Sequence, residues 1–268
     1  MVEFQRKDFY SYEDFLEIMR LLRAPGGCPW DREQTHQSIR RNMLEEPYEV
    51  LDAIDHDDAS GMCEELGDVL MQVAFHAQIE AERGRFTMAN VVDGVARKLV
   101  YRHPHVFGDV QADTSQQVLA NWDVLKRREK GQRSTADAVE AVPHTLPALW
   151  RAEKIQSKTA KAGFDWTSSL QALDKLEEEV RELRAALEAG QAADAPHGIR
   201  EELGDTLFMA AKIAQMSGVD PEDALHRACD KFDRRFRAVE EAADKPLPEC
   251  GEAELLALWN DAKSHDPS

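Results

Sequence analysis

Glu46 and Glu49, followed by Glu65 and Asp68, are the residues whose type and spacing first suggest chemistry. Each helical residue turns about 100°, so side chains at i and i+3 leave one face roughly 60° apart. Two such pairs on facing helices bring four carboxylates together. That set of hard oxygen ligands suits Mg²⁺, with Mn²⁺ a possible substitute, and substrate phosphates usually complete the shell. Taken alone, an acidic i, i+3 pair is more often a solvated helix face. This one recurs. Glu46 and Glu49 return 133 positions later as Glu179 and Glu182, and Glu65 and Asp68 return 137 positions later as Glu202 and Asp205. A metal bound in such a set would neutralise phosphate charge and acidify a coordinated water. Glu178 and its first-copy equivalent Glu45 are candidates to orient or deprotonate that water.

The same offsets extend to cations and aromatics. Lys98 and Arg102 recur after 133 positions as Lys231 and Arg235, while Trp122 and Lys126 recur after 137 as Trp259 and Lys263. Lys231 and Arg235, four apart on one helix face, are placed to clamp phosphates and offset charge in a transition state. Trp259 and Lys263 share a face in the same way, so an indole can stack on a base while the ammonium meets phosphate. The competing readings are surface ion pairs for the cations and core packing for the two tryptophans. Packing is also the expected role of Trp30 and Trp166, capping that of His103 and His105, and core filling that of Met43, Met62, Met71 and Met209. No Glu-x-x-His accompanies either carboxylate set, which argues against the di-iron chemistry that helical bundles also host. A helical module binding a partner protein through its acidic faces is the reading from another class.

These residues need helices to hold them, and the sequence supplies them. Ser11 to Asp14 forms a capping-box pattern ahead of Phe15, Ile18, Met19 and Leu22 at helical spacing. Residues 24–31 hold two prolines and two glycines and end that helix. The first glutamate helix is expected over 36–55, but Pro47 inside it requires a kink or a later start near Leu44. Leu66, Val69, Leu70, Val73 and Ala77 form the apolar stripe of the next helix. Further helices are expected over about 87–102, 115–130, 149–159 and 170–187, then around Glu202, Lys231 and Trp259. Strand patterns are sparse, so the chain reads as all-α. Self-similarity at so long a period marks two tandem helical-bundle domains. The expected bounds are 1–130 and 148–268, with a polar linker over 131–147.

Composition narrows the partners. Thirty-three Lys and Arg face 51 Asp and Glu, a net charge of −18 that disfavours nucleic acid polymers and anionic membranes. Four scattered cysteines without a Cys-x-x-Cys pair suggest buried free thiols. The first residues hold no apolar signal-like run and no stretch of about 18 apolar residues occurs, so a soluble cytoplasmic protein is expected.

Taken in order, the motifs resemble the MazG family of nucleoside triphosphate pyrophosphohydrolases in its full-length, two-domain form. The resemblance rests on Glu-Glu-x-x-Glu followed by Glu-x-x-Asp in both copies, with 15 and 19 intervening residues. It is reinforced by Gly27-Cys-Pro-Trp-Asp-Arg-Glu-Gln-Thr35, Glu64-Glu-Leu-Gly-Asp68, Arg102-His-Pro-His-Val-Phe107, Ala152-Glu-Lys-Ile-Gln156, Gly163-Phe-Asp-Trp166 and Lys231-Phe-Asp-Arg-Arg-Phe236. It implies Mg²⁺-dependent cleavage of nucleoside triphosphates at the α–β bridge to monophosphate and pyrophosphate, nucleotide-pool housekeeping, a homodimer, and a C-terminal copy that is the principal catalyst. The uninterrupted helix around Glu179 and Glu182, set against Pro47 in the first copy, favours the same ranking.

Overall fold

A computed structural model describes residues 3–129 and 131–266, and among them there are helices and turns but no strand. The chain divides into two compact units, one ending at Lys126 and one beginning at Arg127.

In the first unit Ser11 caps α1 (Tyr12–Arg23) with the expected reciprocal bonds to Asp14. Cys28-Pro-Trp, expected as part of a plain break, opens the short α2 (Pro29–Glu33), because proline in a helix's first turn forfeits no hydrogen bond. The carboxylate helices are α3 (Asn42–Asp55) and α4 (Ala59–Glu82), which pack on each other as a hairpin. Asp58 turns the corner by accepting from the N–H groups of Ser60 and Gly61. Residues 36–41 form turns, so α3 follows the later of the two expected starts. Pro47 stays inside it and has no N–H to offer the Met43 carbonyl. Met19, Ile39, Ala74, Phe75 and Ile79 form the core, flanked by Phe15, Leu16, Leu22 and Met71. α1 is thereby pinned to the C-terminal half of α4, each large side chain contributing about 1.5–3 kcal/mol by burial. α5 (Met88–Arg102) packs on α4 and leads into α6 (Pro104–Phe107). His103 caps α5 as expected, its Nδ1 lying 2.6 Å from the Leu99 carbonyl. α7 (Ser115–Glu129) carries Trp122 and Lys126.

The second unit begins at Arg127, ahead of the segment expected to be bare linker, and that segment holds a short helix. Ser134 and Asp137 make a capping box for α8 (Thr135–Glu140), whose Ala138 is buried, as is Val142 just beyond it. The segment looked polar because only one narrow side of α8 faces α9 (Ala148–Ala160). The carboxylates of this unit ride on α10 (Ser169–Glu188) and α11 (Ile199–Met216), the most extensively packed helix pair. α9 packs on α11 and on α12 (Pro221–Ala242), and α13 (Glu252–His265) packs on α12. Lys212 is fully buried, ion-paired with Asp165, hydrogen-bonded to Gln215 at 2.6 Å and set over the Trp166 ring. That cluster ties the Gly163-Phe-Asp-Trp166 turn to α11.

Two expectations fail on exposure. All four cysteines are free, but Cys63 and Cys229 are exposed and Cys28 and Cys250 only half-buried, since none falls on the narrow buried stripe of its segment. Trp30, expected to pack, is 63% exposed on α2, a helix too short to present an inner face to anything but α1.

Candidate functional site

Oxygens of Glu179, Glu202 and Asp205 lie within 4.8 Å of one another, bringing α10 and α11 together at one acidic centre. Glu179 and Glu202 are buried and Asp205 is exposed. Glu182 lies one turn along α10 from Glu179 and beside it. Desolvation, then the neighbouring Glu179, raises the pKa of Glu182 above the ordinary carboxylate range. Burial, then Glu179 and Glu201, does the same for Asp205. A cation in the cluster is Lys175, whose Nζ lies 2.8 Å from both Glu178 and Glu179. Those two bonds raise the Lys175 pKa and hold Glu178 below the usual range. Glu178 therefore faces Lys175 and stands outside the three-carboxylate group.

In the first unit the matching group is Glu46, Glu49 and Glu65, again with oxygens within 4.8 Å. Desolvation, followed by the neighbouring Glu49, raises the pKa of Glu65. The Glu65 Oε2 atom is buried with no hydrogen-bond partner. Asp68 lies outside the close group but adds its charge to that of Glu65. Two details set this copy apart. Position 42, the counterpart of Lys175, is Asn, and the buried Gln72, counterpart of Met209, donates to Glu46 at 3.2 Å. Glu45 is paired with Arg41 at 2.6 Å.

Crowded carboxylates with raised pKa values, and an orphaned buried oxygen in one copy, are what a divalent cation would relieve. The donors are all hard oxygens, so the fit to Mg²⁺ or Mn²⁺ is chemically sound.

The expected substrate contacts are arranged around α12 and α13. Lys231 is exposed, while the half-buried Arg235 donates from Nε to Asp266 at 2.8 Å. Trp259 is half-buried and tilted against Phe232, with ring centres 5.3 Å apart, and Lys263 is exposed. In the first unit Lys98 is exposed and Arg102 buried. Trp122 tilts against His103 at 6.2 Å, and Lys126 is half-buried.

The model of the MazG nucleotide pyrophosphohydrolase domain matches this chain twice, over residues 34–107 and 167–239. The chain belongs to the MazG family. It is 46% identical over 226 residues to the nucleoside triphosphate pyrophosphohydrolase of Escherichia coli strain K12, covering 84% of this chain and 85% of that protein. It is 41% identical over 258 residues to the nucleoside triphosphate pyrophosphohydrolase/pyrophosphatase MazG of Thermotoga maritima, covering 95% and 96%. The Mycobacterium tuberculosis nucleoside triphosphate pyrophosphohydrolase is 43% identical over 154 residues, covering 56% of this chain and 45% of its own length.

The two MazG matches take in both carboxylate sets, together with Lys98, Arg102, Lys231 and Arg235. Trp122, Lys126, Trp259 and Lys263 fall outside them. Within the MazG repeat, two contributors escaped a search for identical letters. Lys175 has no counterpart in the first copy, although its i+3 and i+4 spacing to Glu178 and Glu179 was a usable signal. His197 sits in the longer second connector, and its Nδ1 lies 3.7 Å from Glu202. The corresponding first-copy position is Ser60.

Proposed function

We propose that the chain is a Mg²⁺-dependent nucleoside triphosphate pyrophosphohydrolase that cleaves the α–β phosphate bridge, releasing monophosphate and pyrophosphate, with its principal site on α10 and α11. The observation that carries this reading is the convergence of Glu179, Glu202 and Asp205, with Glu182 one turn from Glu179, in a chain of the MazG family. Those four residues would hold the ion, and Glu46, Glu49, Glu65 and Asp68 would hold one in the first copy. When bound, Mg²⁺ supplies neutralisation of the triphosphate and a more acidic coordinated water.

The chain's own residues do the rest. Lys175 keeps Glu178 ionised, and a carboxylate held below its usual pKa is a weak base but a good acceptor. Glu178 thus orients the attacking water more than it deprotonates it. Lys231 and Arg235 bind phosphate oxygens, with the Asp266 carboxylate now occupying the place one such oxygen would take on Arg235. Trp259 stacks on the base or ribose and Lys263 meets phosphate. Lys98, Arg102, Trp122 and Lys126 play these parts in the subsidiary first copy, where Asn42 provides no cation beside the glutamates.

The helices that carry the carboxylates also leave apolar side chains in the open: Leu44, Tyr48 and Leu51 on α3, and Leu203 and Leu207 on α11. Covering them by a second copy supports a homodimer. No helix among the described residues is long and apolar enough to cross a membrane. Cytoplasmic housekeeping of the nucleotide pool is the role we propose for this activity. Paired variants test the site: Glu182→Ala is expected to remove most Mg²⁺-dependent pyrophosphate release, and Glu49→Ala to reduce it less. Equal losses, or the reverse order, would refute the ranking.

A further inference from the structure

Away from the carboxylate sets, the first unit holds a chain of titratable groups between the turn segment that enters α3 and the far half of α4. Glu80, buried on α4, accepts from Arg83, from Arg85 and from His36 Nε2, the last at 2.5 Å. The other nitrogen of that ring, His36 Nδ1, lies 2.7 Å from Nδ1 of His76, and the two half-buried rings are within 11° of parallel. Two ring nitrogens meet at that distance only as N–H···N, with one proton between them. The His36 bond leads in holding the Glu80 carboxyl below the usual range, so Glu80 is the acceptor and His36 Nε2 carries the proton of that bond. From α1, Arg23 is engaged by Glu82 and by the Asp31 and Gln34 carbonyls. Three residues beyond His36, Ile39 enters the core with Phe75 and Ile79 of α4. His36 and Ile39 thus hold the turn segment onto α4. At the offsets that align the two copies, Ser169, Ile213 and Ser217 stand where His36, His76 and Glu80 do.

We propose that His36 and His76 form an acid-sensitive latch on the entry to α3, closed while their facing nitrogens share one proton and opened when a second arrives. Two N–H groups on facing nitrogens would collide and set two positive charges side by side. Burial, then the neighbouring His36, lowers the pKa of His76. A depressed histidine gives stability that is complete above its unfolded value of about 6.5 and is lost as pH falls through that value toward the folded one. Glu80, held below the ordinary carboxylate range, stays ionised meanwhile. Opening releases residues 34–41, which lead directly into the helix of Glu46 and Glu49. The second copy has none of the three groups, so the latch acts on the first copy alone.

The test follows backbone hydrogen exchange of the full chain by mass spectrometry between about pH 7.5 and 5.5, corrected for the intrinsic pH dependence of exchange. Protection of the segment entering α3 is expected to fall about 10-fold per pH unit below about 6.5, the slope of one proton taken up on opening. The segment entering α10 is expected to keep its protection. His76→Asn, whose amide can donate to His36 without titrating, is expected to remove the slope. No slope in the wild type, or an equal slope in the variant, would overturn the proposal, since any contribution from the carboxylate sets persists in both proteins. Ring NMR of the wild type decides the matter without the variant. One Nδ1 proton shared by the two rings near neutral pH, lost as protection falls, is expected; two rings that titrate independently with no shared proton would overturn the latch.

Discussion

Replacing Glu202 by Gln should stabilise the metal-free protein and at the same time weaken its response to Mg²⁺. Oxygens of Glu179, Glu202 and Asp205 lie within 4.8 Å of one another. At an effective dielectric of about 20, two unit charges at that distance repel by about 3.5 kcal/mol, and Glu202 takes part in two such pairs. Solvent screening offsets most of this in the metal-free protein, while burial and then the neighbouring Glu179 raise the pKa of Asp205. A net gain of about 1–2 kcal/mol remains for the neutral isostere, which costs no hydrogen bond because no donor serves the Glu202 carboxylate among the described residues. For a unit of this size that is a rise in Tm of roughly 3–8 °C in EDTA. Calorimetric melts in EDTA and in Mg²⁺, on wild type and variant, measure both effects. A variant that melts lower than wild type in EDTA, or that gains as much from Mg²⁺ as wild type does, would refute the idea that these carboxylates are crowded for a cation.

Other outcomes follow from the same geometry. Lys212→Met breaks a buried pair with Asp165; because Asp165 keeps some solvent access, a loss of about 2–3 kcal/mol in urea unfolding is expected, and no change would contradict the pairing. Glu80 accepts from His36, Arg83 and Arg85, and the first of these contacts leads in holding its carboxyl below the usual range. A depressed folded pKa gives stability that is present above the unfolded value of about 4.3 and lost as pH falls through the folded one. Glu80→Gln should therefore flatten the acid limb of the stability–pH curve; an unchanged limb would show that Glu80 does not shape it. Light scattering at micromolar concentration should give twice the chain mass, and a monomer mass would remove the homodimer.

The helices and their duplication were legible because periodicity and capping are local: the Ser11 box, the Leu66 to Ala77 stripe and the long α10 all form close to where the pattern puts them. α8 was not, since six residues with one buried alanine give too short a period to stand out from a polar run. In the carboxylate sets, repetition identified the residues but not their company. Lys175 and His197 were passed over because neither is repeated, although both touch a repeated glutamate. The attachment of Arg235 to Asp266 was beyond reach, because a contact between α12 and the residue just past α13, 31 positions on, has no signature in spacing. Likewise, exposure of Trp30 depends on what packs over α2, which composition does not encode.

The most direct test is to incubate the pure protein and Mg²⁺ with canonical and modified nucleoside triphosphates and to separate the products. Monophosphate with pyrophosphate is the expected result, whereas diphosphate with orthophosphate would contradict cleavage at the α–β bridge.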